Sequence, residues 1–138
     1  MNDAVRYVQL NSHVAASPQI QPEHMAAIAQ AGFKVVVNNR PDGEAPDQPD
    51  SEALRHAAEA AGMRYHYYPI NAFNYPGEDL AFLKTLFEDA DQPVFAFCRS
   101  GTRSSNLWVS TRDSNAIEDA RSHIQALGFD PSMSLSTA

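Results

Sequence analysis

Two rhythms of apolar residues alternate along this chain. One is the short run of β-branched or aromatic residues; the other is the longer stretch in which apolar residues recur every three or four positions. The runs predict strands and the stretches predict helices. Val5-Arg6-Tyr7-Val8-Gln9-Leu10 reads as a short strand, and residues 13–16 as another. Pro22 then stands where a first helical turn tolerates it, and Glu23 follows as an acid in that turn. Met25, Ile28 and Ala29 recur at helical spacing until Gly32. Lys34-Val35-Val36-Val37-Asn38 is a continuous run of the kind buried in parallel sheets. Residues 40–49, rich in Pro, Asp and Gly, read as a loop.

Asp50 or Ser51 caps the next helix, whose inner side uses Ala53, Leu54, Ala57, Ala58 and Ala61 before Gly62 stops it. Residues 64–70 predict a second buried-type strand, rich in tyrosine, and residues 71–77 a loop. A helix over residues 78–90 turns Leu80, Leu83, Leu86 and Phe87 inward. Pro93-Val94-Phe95-Ala96-Phe97 is a third buried-type strand. Helices from residue 103 to about 112 and over 116–127 follow, the second ended by Gly128. The polar tail from Pro131 is expected to fray. This order predicts one α/β domain over residues 1–138, with a mainly parallel central sheet flanked by helices.

Composition narrows the possibilities. A length of 138 residues suits one domain, and 43% hydrophobic residues supply a core. No apolar run approaches the ~18 residues that span a membrane. The opening MNDAVRYVQLNS lacks the charged-then-apolar order of a signal peptide. The single cysteine excludes an internal disulfide, so a cytoplasmic, reducing location is expected. A net charge of −7 argues against nucleic-acid and anionic-membrane partners. Arg99, Arg103 and Arg112 nevertheless fall close together, beside the cysteine.

The candidate chemistry lies in Cys98-Arg99-Ser100-Gly101-Thr102-Arg103-Ser104, between a buried strand and a helix. That junction presents backbone N–H groups to an anion, and glycine lets the chain approach a ligand closely. The helix dipole and the arginines favour thiolate over thiol, which makes Cys98 a candidate nucleophile. The Ser104 hydroxyl is a candidate donor to the sulfur or to a leaving group. The bland alternative, a small buried cysteine at a strand end, fits poorly with so many glycine, hydroxyl and arginine neighbours.

The loop resembles those of cysteine-dependent tyrosine phosphatases and of rhodanese-type sulfurtransferases. Three pieces resemble one bacterial family, the β-lactamase-hydrolase-like phosphatase domain, whose members are also labelled sulfur transferases. They are Asn38-Asn39-Arg40-Pro41-Asp42-Gly43-Glu44, Ala60-Ala61-Gly62 leading into residues 65–69, and the cysteine loop followed by Asn106-Leu107-Trp108. The resemblance runs from about Val5 to about Gly128. It implies a cysteine-phosphatase-like three-layer fold, with Cys98 as nucleophile and Arg103 as the anion clamp. It also implies partners in sulfide oxidation, because relatives occur fused to persulfide-oxidising or flavin-dependent modules.

Loop length bears on the reaction. Tyrosine phosphatases carry C-x5-R, whereas Cys98 and Arg103 form C-x4-R, the shorter cradle associated with rhodaneses. The histidine that often precedes a phosphatase nucleophile is replaced by Phe97. A phosphatase also needs an acid for its leaving oxygen. The loop over residues 71–77 offers none, leaving Asp42 and Glu44 as possible acids or orienting groups with Arg40. Sulfur transfer needs no such acid. The expectation is therefore transfer of sulfane sulfur through a Cys98 persulfide, from a small anionic or persulfide substrate. A phosphatase working through phosphocysteine is the alternative, and a non-catalytic anion- or partner-binding module the third reading.

Arg99, Ser100, Gly101, Thr102 and Ser104 complete the expected anion site, with Asn74 and Tyr75 on the cleft rim. The five histidines show no paired metal-ligand spacing, so no metal and no cofactor is expected. Tyr65, His66, Tyr67 and Tyr68 are expected to pack in a strand, and Leu107, Trp108 and Val109 to form core contacts.

Overall fold

The protein is described by a computed structural model covering residues 5–134. Residues 1–4 and 135–138, into which the leader and tail expectations extend, lie outside the described residues. Five strands form one sheet: β1 Val8–Gln9, β2 Val14–Ser17, β3 Val35–Asn38, β4 Arg64–Tyr67 and β5 Val94–Phe97. Their order is β1-β2-β5-β3-β4. Only β1 runs antiparallel to its neighbour; β2, β5, β3 and β4 are mutually parallel.

Alternation along the central strands divides the core into two layers. Val35 and Val37 of β3, with Val94 and Ala96 of β5, enter one apolar cluster. Val36, Phe95 and Phe97 point the opposite way into the other. Helices α3 Leu80–Glu88, α4 Thr102–Ser110 and α5 Ile117–Ala126 supply Leu83, Phe87, Leu107 and Ile124 to the first cluster. A 3₁₀ turn at Pro22–His24 leads into α1 Met25–Gln30, which covers the other face with α2 Ser51–Ala60. Burial on both faces favours apolar residues, and this is why residues 35–37 of β3 and 94–97 of β5 read as unbroken runs. The result is a three-layer α/β architecture.

Caps behave as side-chain chemistry dictates. Of the two candidates, Asp50 caps α2, accepting a 2.9 Å hydrogen bond from the Ala53 amide. Asp79 does the same for Phe82 at the start of α3, at 3.3 Å. No helix is long and apolar enough to cross a membrane among the described residues.

Two expectations are corrected. The tyrosine-rich segment is an edge strand and ends at Tyr67; Arg64 and Tyr67 face solvent. Its run mixes Arg64 and His66 with tyrosines, as suits a strand paired on one side only. The tail does not fray from Pro131, because Ser132–Ser134 forms a 3₁₀ turn packed on α4. Buried Asn106 explains this: its Nδ2 donates to the Asp130 carbonyl at 2.8 Å, and its Oδ1 accepts from the Ser134 amide at 3.1 Å.

Candidate active site

Parallel register brings three chain segments to one edge of the sheet. Ser17, Asn38 and Phe97 lie side by side as the last residues of β2, β3 and β5. The Cys98 amide donates to Ser17 O at 3.2 Å and the Asn39 amide to Phe97 O at 2.8 Å. The Cys98 loop, the Arg40 loop and the segment after Ser17 therefore leave the sheet together, at the carboxyl edge where such sheets bind ligands.

Gly101 shapes the loop. Its φ of +92° turns the chain into α4 and aims its N–H at Cys98 Sγ, 3.1 Å away. A Cβ there would lie 2.9 Å from Phe129 Cε1, so both backbone angle and space demand glycine. Gly101→Ala is expected to cost about 1–3 kcal/mol of stability, read as a lowered urea midpoint. An unchanged midpoint would show that the loop adapts freely.

Cys98 has no exposed surface. Its surroundings are polar on one side: the Gly101 amide donates to the sulfur, and the Arg103 guanidinium is close enough for the sulfur to stabilise its charge. Among the described residues, the amides of Arg99, Ser100, Thr102, Arg103 and Ser104 donate to no protein group. Free amides at the loop and the first turn of α4 form an anion-binding arrangement, reinforced by the helix dipole.

Arg103 is held rather than loose. Its Nη1 and Nη2 donate to the two Glu44 carboxylate oxygens at 2.8 and 2.9 Å, and Nη1 also reaches Ile70 O at 2.9 Å. Arg40 shares the same carboxylate, its Nε donating to Oε1 at 2.9 Å. The Arg103 hydrogen bonds hold the Glu44 carboxyl below its usual range; burial opposes them and Arg40 adds to them. Glu44 in turn raises Arg103, with a further contribution from Cys98.

A carboxyl group with a depressed folded-state pKa stabilises the fold above its unfolded pKa. That contribution is lost as pH falls through the folded value. Wild-type stability is therefore expected to decline from about pH 5 to about pH 3 more steeply than that of Glu44→Gln, in denaturant midpoints taken across pH. Parallel curves would mean the two guanidinium contacts leave Glu44 unperturbed.

The other expected site residues divide. Arg99 and Ser100 are exposed, and the Ser100 hydroxyl donates to Thr102 Oγ1 at 3.1 Å. Ser104 is corrected: its buried hydroxyl donates to Asn39 Oδ1 at 2.8 Å, not to the sulfur. It lies on the face of α4 turned to the sheet, where Asn39 needs a donor. Asp42 faces away as well, its Oδ1 accepting the Ser51 amide at 2.8 Å at the start of α2. Tyr75 is not a rim group; its hydroxyl donates to Asn106 O at 2.7 Å, and burial pushes it up to about 12. Asn74 closes its own loop, accepting the Asn71 amide at 2.7 Å. Sequence reasoning missed Asn39, which braces Ser104, and Gln19, whose Oε1 accepts Arg40 Nη1 at 3.0 Å. The signal available for Gln19 was its position just beyond a strand end on the ligand-binding edge.

A mainly parallel sheet between two helical layers, with a cysteine–arginine loop opening a helix, defines a phosphatase-like α/β domain. Residues 5–115 match the family described as β-lactamase hydrolase-like protein, phosphatase-like domain, and the chain belongs to that family. A β-lactamase hydrolase-like protein of Agrobacterium fabrum is 33% identical over 105 residues, 76% of this chain. The chain spans about a quarter of the length of the curated relatives it matches. A crystal structure of a candidate phosphatase from Neisseria meningitidis Z2491 is 33% identical, with a TM-score of 0.75 and 89% of each chain covered. The crystal structure of PTPMT1 shares the fold, with a TM-score of 0.70 at 16% identity, covering 94% of this chain and 89% of that one.

Proposed function

We propose that this domain transfers sulfane sulfur through Cys98. The observation that carries this reading is the state of the nearby carboxylates. Glu44 is chelated by two guanidinium groups and held ionised, and Asp42 is spent on α2. Neither is placed to give a proton to a leaving oxygen, and sulfur transfer requires no such proton. The thiolate attacks the outer sulfur of a thiosulfonate donor such as thiosulfate; a Cys98 S–S bond forms, the donor S–S bond breaks, and sulfite departs with its electron pair. An acceptor thiolate then takes the outer sulfur, regenerating the Cys98 thiolate. Arg103 and the free amides over residues 99–104 steady the donor's negative charge. A persulfide-oxidising enzyme is the proposed partner that consumes the product, and the cytoplasm the proposed location.

Phosphoryl transfer is the second reading, and the comparisons favour it. The matching family is described as phosphatase-like, and the Neisseria relative is a candidate phosphatase. Here the thiolate would attack phosphorus, forming phosphocysteine that water resolves, and the leaving alkoxide would need its proton from solvent or substrate.

Sulfur transfer from thiosulfate to cyanide and hydrolysis of an aryl phosphate, measured side by side on one preparation, separate the two. The sulfur reading expects thiocyanate turnover well above phosphate release. Robust phosphate hydrolysis without thiocyanate would reverse the order.

A further inference from the structure

A cleft of about 300 Å³ opens between the loop over residues 71–77 and the turn at Ser132–Ser134, lined by Ala72, Tyr75, Ser132 and Met133. Asn106 of α4 holds both walls. Its carbonyl accepts the Tyr75 hydroxyl at 2.7 Å, its Oδ1 accepts the Ser134 amide at 3.1 Å, and its Nδ2 donates to Asp130 O at 2.8 Å. Asn106 lies three residues beyond Arg103, about 4.5 Å of helical rise. At its other end the 71–77 loop leaves from Ile70, whose carbonyl accepts Arg103 Nη1 at 2.9 Å. The cleft therefore starts one turn of α4 away from the free amides over residues 99–104.

Phe73 stands on the crown of that loop and is 98% exposed, whereas Tyr67, the next most exposed large hydrophobic side chain among the described residues, is 42% exposed. The loop is braced from within: Asn71 Oδ1 accepts the Phe73 and Asn74 amides at 2.8 and 3.1 Å, and Asn74 Oδ1 accepts the Asn71 amide at 2.7 Å. Covering a ring that is presented on a braced loop removes apolar surface from water at little further cost in ordering. None of the four side chains lining the cleft is charged, and Met133 adapts to irregular apolar shapes. Such a cleft complements carbon rather than a second charge.

We propose that this cleft, with Phe73 at its lip, is the subsite for an apolar substituent, an aryl ring or short branched chain, on the substrate whose anionic head meets Cys98. Phe73 is then a specificity-determining residue that favours substituted thiosulfonates over bare thiosulfate. The subsite rests on the proposed seat of the substrate anion at the Cys98 loop, but not on whether sulfur or phosphorus is transferred.

The test titrates two unreactive probes with the same head group, benzenesulfonate and methanesulfonate, into isotope-labelled protein while amide chemical shifts are followed. Both are expected to shift the amides over residues 99–104. Benzenesulfonate alone should also shift those of Ala72, Phe73 and Met133, and should bind about tenfold tighter. Phe73→Ser is expected to narrow that difference to about threefold or less, and Phe73→Leu to keep most of it. Equal affinities, no shifts at positions 72, 73 and 133, or a difference that Phe73→Ser leaves intact would overturn the proposal. Discrimination between the probes by a protein that never forms a Cys98 persulfide would leave the subsite standing and sink the sulfur reading. A persulfide formed without discrimination would do the reverse.

Discussion

Serine in place of Cys98 is expected to abolish group transfer, lowering turnover by roughly 10³-fold or more whichever donor is used. Cys98 is the chain's only cysteine, so no second thiol can substitute. A serine hydroxyl ionises far less readily than a thiol, and this loop holds no neighbouring base to activate it. The fold should survive, because the Gly101 N–H that now donates to sulfur at 3.1 Å can donate to the serine oxygen. Thiocyanate and phosphate assays, paired with a denaturant midpoint, check both halves. Retained turnover in a folded Cys98→Ser protein would remove the nucleophile from the account.

Arg103→Ala is expected to cost about 10²- to 10³-fold in turnover, whereas Arg112→Ala should cost little per folded molecule. Both arginines are near Cys98 in sequence, yet they occupy opposite ends of α4, about 13 Å apart by helical rise. Arg103 stands in the first turn, its fork on Glu44 and its charge supported by the Cys98 sulfur. Arg112 follows the last turn, with its guanidinium 5.0 Å above the Trp108 ring and Nε 3.3 Å from Trp108 O. Arg103→Lys should rescue poorly, because an ammonium cannot reproduce two parallel hydrogen bonds. Steady-state rates of the three variants test this, and equal losses at positions 103 and 112 would contradict the assignment.

The parts of this molecule legible in its sequence are those governed by local rules. Val35 to Val37 and Val94 to Phe97 announced central strands because burial on both faces favours continuous apolar runs. Gly101 announced the turn at Cys98 because few other residues adopt its positive φ. What escaped depended on distant partners. Glu44 reaches Arg103 across 59 positions, and no periodicity encodes such a pairing. The Ser104 hydroxyl was expected to reach the sulfur or a leaving group, but one step along a helix rotates a side chain by about 100°, here toward Asn39. The tyrosines of β4 resembled a buried run, although Arg64 marked the edge. The ordered turn at Ser132–Ser134 follows from the needs of Asn106, a buried amide whose partners lie far along the chain.

The central claim is that one sulfur atom, Cys98 Sγ, takes and gives up the transferred group. Mass spectrometry of protein incubated with excess thiosulfate, then digested without reductant, tests it most directly. The peptide bearing Cys98 is expected to gain the mass of one sulfur atom and to lose it on adding cyanide. An unmodified Cys98 peptide alongside measurable thiocyanate formation would contradict the account.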